Sequence, residues 1–274
     1  MAEGPLGLVA GGGQFPILLA RAARLKGRRV VAVAHKGETA AELADAVDSI
    51  KWIYLGQLGR LINTLKDAGV KDVVFAGTIT KKRIFIDVRP DFRALNLWRR
   101  IDKRLDDQIL RALASEIESE GIKVLPSTVF MDDLLMPSGV ITKKKPSCAQ
   151  LADIDLGRRL ASKIGLLDIG QCVVVKDKVI LAVEAIEGTD QTILRGGALG
   201  GPGVVIVKVC KPSQDTRFDL PAIGIGTIER MKEVKAGVLA IEAGRALFFD
   251  RDEAVALADR AGIVVVGIEG GVQA

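Results

Sequence analysis

The chain has 274 residues, of which 49% are hydrophobic and 27% charged, and this composition excludes a disordered protein. Its net charge of +5 favours anionic ligands such as phosphates, but the basic residues are too dispersed for a dedicated nucleic-acid binder. A single histidine, His35, excludes a His-rich zinc or iron site, so acid–base and metal chemistry must rest on carboxylates, which suit Mg²⁺ or Mn²⁺. Three dispersed cysteines indicate a reducing cytosol, and we expect neither a secretory signal nor a membrane span.

Strands and helices alternate through the first half of the chain. The pattern predicts strands over residues 6–10, 30–34, 52–55, 73–76 and 123–126, and helices over 16–26, 38–47, 58–68 and 91–120. Strands that are separated by helices require right-handed crossovers, so this half is predicted to form a parallel, Rossmann-like sheet.

The pattern changes between Met136 and Ser147, where proline, glycine, serine and three consecutive lysines interrupt it. We therefore predict an α/β protein with a Rossmann-like nucleotide- and substrate-binding domain over 1–135 and a mixed α/β catalytic domain over 136–274. For the second domain we predict strands over 172–175, 179–183, 204–210 and 262–268, and helices over 149–164, 227–236 and 252–261. The first two of these strands form a hairpin around Asp177 and Lys178.

Three consecutive glycines, Gly11 to Gly13, stand between the first strand and the first helix. Glycine lets a backbone approach a ligand, and a helix N-terminus offers N–H groups to an anion, so the turn is a candidate nucleotide or phosphate site. A plain tight turn is the alternative. The dinucleotide-binding pattern is incomplete, because Pro16 takes the last glycine position and no acid occurs among residues 34–36, after the second strand.

Two further segments of the first domain carry cations. Residues 76–83, after the fourth strand, combine threonines with three basic residues, which suits either a diphosphate or a solvated basic loop. Residues 84–100 gather aromatic side chains beside arginines. This second segment predicts either an amphipathic patch for acyl chains and anionic headgroups or a packed helix with a dimer core.

Two acidic segments, 184–190 and 211–221, follow strands of the second domain. Loops at strand ends commonly carry catalytic groups, and the two segments together offer oxygen ligands for Mg²⁺ and a general base for water. Taken singly, Glu184 and Asp215 also suit capping or salt-bridge roles.

Three stretches, GLVAGGGQFPILLA, LLDIGQCVVVKDKVILAVEAIEGTDQTILRGG and KPSQDTRFDLPAIGIGTI, resemble the LpxI-type UDP-2,3-diacylglucosamine pyrophosphatases in order along nearly the whole chain. The resemblance implies a Mg²⁺- or Mn²⁺-dependent diphosphatase of lipid A biosynthesis, which hydrolyses UDP-2,3-diacylglucosamine to UMP and 2,3-diacylglucosamine 1-phosphate (lipid X). It also implies a cytoplasmic homodimer, in peripheral contact with the inner membrane, whose Rossmann-like and C-terminal domains hold the substrate between them.

The resemblance also implies roles for residues of this chain. Asp219 is the first candidate for the catalytic acid, with Asp215 as the competing candidate. Glu187 and Asp190 are candidates for the metal or for positioning water. The candidate substrate-binding residues are Gly12, Gly13, Thr78, Thr189, Lys211 and Gln214.

Two other functions fit a Rossmann-like domain. An NAD(P)-dependent oxidoreductase would use the glycine turn for its cofactor, although the incomplete dinucleotide pattern counts against it. A non-enzymatic regulator that binds a nucleotide sugar or a lipid would use the carboxylates only for structure.

Overall fold

The computed structural model describes residues 4–79, 88–101, 106–211, 215, 217–218 and 220–269. The chain divides into two compact units. Unit 1 comprises Met1–Asp132 and Asp215–Asp219, and unit 2 comprises Asp133–Gln214 and Leu220–Ala274. The sequence pattern placed the whole acidic segment 211–221 in the second domain, whereas residues 215–219 group with the first unit.

Unit 1 is built on a five-stranded parallel sheet. Its strands are β1 (Leu6–Ala10), β2 (Val30–His35), β3 (Ser49–Ile53), β4 (Asp72–Ala76) and β5 (Lys123–Val124), and its helices are α1 (Phe15–Leu25), α2 (Leu43–Ala46), α3 (Leu58–Asp67), α4 (Phe92–Arg99) and α5 (Asp106–Glu118). The strand order is β3-β2-β1-β4-β5, so the order reverses between β1 and β4. Every residue of β1 and β2 is buried, as expected of central parallel strands with covered faces.

Tertiary contacts explain where unit 1 departs from the predicted elements. The predicted helix over 38–47 shortens to Leu43–Ala46, because a hydrogen-bonded turn holds the chain between His35 and Thr39 first. Strand β3 begins at Ser49 instead of residue 52, since it lies at the sheet edge and exposes Ser49 and Lys51. The single helical region over 91–120 contains the two helices α4 and α5.

Unit 2 is built on a six-stranded mixed sheet. Its strands are β6 (Gly139–Val140), β7 (Cys172–Lys176), β8 (Val179–Val183), β9 (Val205–Lys208), β11 (Val238–Glu242) and β13 (Val264–Ile268), in the order β6-β13-β11-β9-β7-β8. A separate parallel pair is formed by β10 (Ala222–Ile223) and β12 (Leu247–Phe248). The helices are α6 (Cys148–Leu166), α7 (Thr189–Gly200), α8 (Ile225–Glu233) and α9 (Arg251–Ala261), with a 3₁₀ turn over Asp132–Leu134. Helix α6 packs on one face of the large sheet, and α7, α8 and α9 cover the other.

The predicted fold class is confirmed, since a parallel sheet in unit 1 is joined to a mixed sheet in unit 2. The predicted hairpin is also present: Asp177 and Lys178 have φ of 50° and 61°, and the buried Asp153 carboxylate accepts both of their backbone N–H groups. Helix α7 was not predicted, because its first residues were assigned to a turn. Among the described residues, no helix is both long and apolar enough to cross a membrane.

Candidate functional site

The glycine turn and the loop after β4 meet at the carboxyl edge of the sheet of unit 1. Gly12 and Thr78 exchange backbone hydrogen bonds, at 2.7 Å from Gly12 N to Thr78 O and 3.2 Å in the other direction. A Cβ on Gly11 would lie 2.6 Å from Thr78 O, so this approach requires glycine. Because β1 and β4 flank the point where the strand order reverses, the two predicted segments lie where open α/β sheets bind ligands.

Gly13 stands at the accessible part of this turn. It is exposed, its φ is +83°, and helix α1 begins two residues later with Pro16 in its first turn. The N-terminus of α1 gives this edge a partial positive charge, which favours an anion. Of the predicted substrate-binding residues of unit 1, Gly12, Gly13 and Thr78 therefore lie together.

The single histidine belongs to the scaffold of this edge. His35 is buried, its Nδ1 lies 2.9 Å from Ala10 O, and its backbone N–H donates to the Thr39 hydroxyl at 3.0 Å. Burial lowers the pKa of the ring, so the imidazole is neutral and donates from Nδ1 to the carbonyl. His35 thus joins the ends of β1 and β2 instead of supplying acid–base chemistry.

Glu38 is a residue that the sequence pattern did not single out. The turn after β2 returns it to the glycine turn, where a Cβ on Gly12 would lie 3.5 Å from Glu38 Oε2. The dinucleotide-binding pattern expects the ribose-binding acid among residues 34–36, at the end of the strand. Here the acid comes later in the sequence, after a turn in which Gly37 has a φ of +79°. A carboxylate is therefore present beside the glycine turn.

In the first acidic segment, local hydrogen bonds engage most of the carboxylates. Glu184 is buried and accepts from the Gln171 N–H at 3.1 Å and from the Thr189 hydroxyl at 2.8 Å. Glu187 accepts from Arg195 at 2.5 Å and from the Ala185 N–H at 3.1 Å. Its own backbone N–H and the Arg195 guanidinium lower the pKa of the Glu187 carboxyl.

These contacts bear on the predicted metal site. Both oxygens of Glu187 already face N–H donors, one of them a guanidinium, which repels a cation from the same place. Asp190 is exposed in the first turn of α7. Within the parts of the chain that the structure describes, no group of three or more His, Cys, Asp and Glu side chains could hold a metal ion. The requirement for Mg²⁺, and a role of Glu187 and Asp190 in holding it, stay predictions.

The second acidic segment packs into unit 1 through Phe218. This side chain is buried in the core of the unit, and its ring meets Phe75 edge-on with centroids 5.3 Å apart. Arg217 donates to Glu118 at 3.1 Å and to both oxygens of Asp215, the shortest bond being 2.9 Å. The Arg217 guanidinium lowers the pKa of the Asp215 carboxyl, which is therefore ionised and paired at neutral pH.

The remaining predicted residues are only partly described. Lys211 forms an ion pair with Asp168 at 2.7 Å. Asp219 and Gln214 lie outside the described residues, as do residues 80–87 with the cations of the predicted diphosphate loop. Asp219 directly follows Phe218 in the sequence.

Comparison with known proteins gives a family for both units. A model described as the LpxI N-terminal domain matches residues 5–134, and one described as the LpxI C-terminal domain matches residues 137–266. The UDP-2,3-diacylglucosamine pyrophosphatase LpxI of Caulobacter vibrioides is 35% identical over 276 residues, covering 96% of this chain and 97% of that protein.

Solved structures offer only distant likenesses. The biotin carboxylase domain of Hydrogenobacter thermophilus 2-oxoglutarate carboxylase matches with 16% identity and a TM-score of 0.27, over 64% of this chain and 35% of that one. Biotin carboxylase from Campylobacter jejuni matches with 12% identity and a TM-score of 0.30, over 72% of this chain and 42% of that one. The chain thus spans less than half of these proteins, and such TM-scores support no conclusion about it.

Proposed function

Since the chain belongs to the LpxI family, we propose that it hydrolyses the diphosphate of UDP-2,3-diacylglucosamine to UMP and 2,3-diacylglucosamine 1-phosphate (lipid X). The observation that carries this proposal is the end-to-end similarity to a relative that is named as a pyrophosphatase of that substrate. This reaction is a step of lipid A biosynthesis.

The carboxyl edge of the sheet of unit 1 supports a nucleotide site. Gly13 and the N-terminus of α1 offer backbone N–H groups and a positive helix end to a phosphate. Glu38 lies beside the same turn, and a carboxylate in that place accepts hydrogen bonds from ribose hydroxyls. We therefore assign the uridine diphosphate group to this edge, with Gly12 and Thr78 joining the two loops that form it.

We assign the proton transfer to Asp219. Asp215 is a poor general base, because Arg217 holds its carboxylate ionised and lowers its affinity for a proton. In the proposed step the water oxygen bonds to phosphorus, the bridging P–O bond breaks, and the proton from water passes to Asp219. Phe218 and Arg217 fix the chain immediately before Asp219 to the core of unit 1.

Mg²⁺, or Mn²⁺ in its place, would neutralise charge on the diphosphate when bound. Because Glu187 is already paired with Arg195, we assign no step of the reaction to the ion. Thr189, Lys211 and Gln214 remain proposed substrate contacts. The first two also have structural partners, the carboxylates of Glu184 and Asp168.

Helix α4 supports peripheral contact with the cytoplasmic face of the inner membrane, and we propose it as the contacting element. Three apolar residues of this helix are exposed, Phe92 by 78%, Leu95 by 45% and Trp98 by 40%, and the exposed Arg99 and Arg100 follow them. An exposed apolar stripe with cations beside it favours a surface of anionic lipid. Phe92→Ser should reduce co-sedimentation with anionic vesicles; equal binding by wild type and variant would overturn this assignment. The homodimer remains a prediction.

The reaction is tested with purified protein, Mg²⁺ and UDP-2,3-diacylglucosamine in water enriched with ¹⁸O. We expect release of UMP and lipid X, with the label in one of the two products, which identifies the phosphorus atom that water attacks. Chelation with EDTA should abolish release, and added Mg²⁺ should restore it. Tight binding without release of UMP under any divalent ion would instead support a binding protein and overturn the proposed reaction.

A further inference from the structure

Two cations share one aromatic ring at the carboxyl edge of the sheet of unit 1. Tyr54 directly follows β3, and the Nζ of Lys36 lies 4.8 Å from the centroid of its ring. The Cζ of Arg89 lies 3.7 Å from the same centroid, a separation at which a guanidinium stacks on a ring. Both cations are exposed, so a ligand can reach them from solvent.

Backbone hydrogen bonds fix the segments that carry these three side chains. The Lys36 N–H donates to the carbonyl of the last residue of β3 at 2.9 Å, and the Arg89 N–H donates to Leu55 O at 2.8 Å. Tyr54 is half-buried, and its own N–H donates to Gln57 Oε1 at 3.0 Å. The ring is therefore a fixed support on which two long side chains are held at the surface.

The cluster extends the candidate nucleotide site along the sheet edge. Strand β2 neighbours β1, so Lys36, which directly follows β2, begins about 5 Å, one strand spacing, to the side of the chain that enters the glycine turn. Tyr54 lies one strand further in the same direction. Within the described part of the chain, Lys36 forms no ion pair with a carboxylate. Two positive charges held on one ring also repel each other, which an anion in contact with both relieves.

The glycine turn by itself does not balance the charge of a diphosphate. The N-terminus of α1 carries the equivalent of about half an elementary charge, whereas a diphosphate that joins a nucleoside to a sugar carries two negative charges. Backbone N–H groups at Gly13 can accordingly orient such a ligand but leave most of its charge without a partner. Lys36 and Arg89 bring two full positive charges to the same edge of the same unit.

We infer that Lys36 and Arg89, held by Tyr54, bind the diphosphate of the substrate. The inference rests on the proposed function for the identity of the substrate. Phosphate oxygens accept charge-assisted hydrogen bonds from both cations, and the planar guanidinium suits two oxygens at once. Tyr54 is a positioning residue that acts through these cations, since its ring reduces the freedom that two long side chains lose when the ligand binds.

Four variants separate the charges from their support. Lys36→Met and Arg89→Met each remove one charge and keep an apolar side chain against the ring. Titration calorimetry of UDP and of inorganic pyrophosphate, both with Mg²⁺, should show about 10- to 100-fold weaker binding to each. Tyr54→Leu keeps both charges and should weaken binding about 2- to 5-fold, whereas Tyr54→Phe retains the ring and should bind as the wild type does. If Tyr54→Leu fails to fold, the two variants at exposed positions decide alone.

Lys26 provides a matched control. It is an exposed lysine of unit 1, and its Nζ lies 5.7 Å from the ring centroid of Phe130. Because it stands between the end of α1 and the start of β2, it lies at the opposite, amino edge of the sheet. Lys26→Met removes the same charge from the same kind of contact and should bind both ligands as the wild type does. An equal loss in this variant would mean that net charge governs binding, and would overturn the inference.

Two other results would assign the cations to a different ligand. A loss of affinity for UDP with unchanged affinity for pyrophosphate would place them at the nucleoside. Arg89 also stands three residues before Phe92, in the helix proposed to contact the membrane. Unchanged binding of UDP and pyrophosphate with weaker co-sedimentation on anionic vesicles would therefore assign the cations to lipid headgroups. Either result would overturn the contact with the diphosphate.

Turnover of UDP-2,3-diacylglucosamine separates this inference from the proposed function. If Lys36→Met and Arg89→Met bind UDP and pyrophosphate more weakly while the wild type releases no UMP, the phosphate site stands and the reaction is overturned. If the wild type releases UMP and both variants bind and turn over equally well, the reaction stands and the inference is overturned. A wild type that binds neither UDP nor pyrophosphate overturns the inference, whether or not it releases UMP.

Discussion

The two acidic segments look alike in the sequence and differ in the structure. In the segment at 184–190, the carboxylates of Glu184 and Glu187 accept hydrogen bonds from groups of the same unit, and they order the entry to helix α7. In the other segment, Asp215 is tied to Arg217, while Phe218 inserts into the core of unit 1. The role of a carboxylate thus depends on what its oxygens already accept. Arg217 engages Asp215, and the proposal of Asp219 as the general base rests on the family resemblance and on its place directly after Phe218.

The largest effect is expected from Asp219→Ala, which removes the candidate base from a segment that otherwise serves as an anchor. We expect turnover of UDP-2,3-diacylglucosamine to fall by about 10²- to 10⁴-fold, the range for loss of a general base. Substrate affinity and thermal stability should remain near wild type. Release of UMP at an undiminished rate would show that the general base lies elsewhere. The second acidic segment would then have no catalytic role that sets it apart from the first.

The next largest effect is expected from Phe218→Ala, because Phe218 holds the second acidic segment to the core of unit 1. Phe218→Ala empties a buried aromatic site beside Phe75, and such deletions cost about 3–5 kcal/mol. Chemical denaturation should show this loss in the free energy of unfolding, and turnover should also fall, because the residue before Asp219 is no longer held. Phe218→Leu, which retains most of the apolar volume, is the control and should recover most of both. A stable Phe218→Ala with full activity would contradict the anchoring role.

Asp215→Asn tests the ion pair with Arg217. The pKa of Asp215 is lowered in the folded state, so its contribution to stability is complete above the unfolded pKa and disappears as the pH falls through the folded pKa. At pH 7 we expect a loss of about 1–2 kcal/mol, moderated because Arg217 is one-third exposed. Denaturation of wild type and variant at neutral and acid pH should give curves that converge in acid. If the free energies of unfolding of wild type and variant differ by the same amount at all pH values, the charge of Asp215 contributes nothing to stability.

The elements of the fold could be predicted from the sequence where a short stretch of residues determines the local structure. The continuous apolar runs of β1, β2 and β4 and the turn at Asp177 and Lys178 indicated their own structures, because burial on both faces and a two-residue hairpin leave a local pattern. Strand β3 was misplaced because an edge strand has polar residues on its exposed positions.

The site was less predictable, because its decisive features come from distant contacts. The meeting of Gly12 with Thr78 follows from strand order, which single-segment patterns do not determine. Phe218 was one apolar residue in an acidic loop, and its insertion beside Phe75 depends on the return of the chain to unit 1.

The smallest effect is expected from Glu187→Gln. This variant tests whether a carboxylate of the first acidic segment takes part in binding Mg²⁺. Glu187 pairs with Arg195 at the surface, and exposed pairs of this kind contribute little to stability. We expect an almost unchanged melting temperature and an unchanged dependence of turnover on the concentration of Mg²⁺. Asp190→Asn, at the other metal candidate of the same segment, should leave this dependence unchanged as well. If Glu187→Gln instead raises the Mg²⁺ concentration needed for half-maximal turnover tenfold, Arg195 must release Glu187 when substrate binds, and the first acidic segment would belong to the metal site after all.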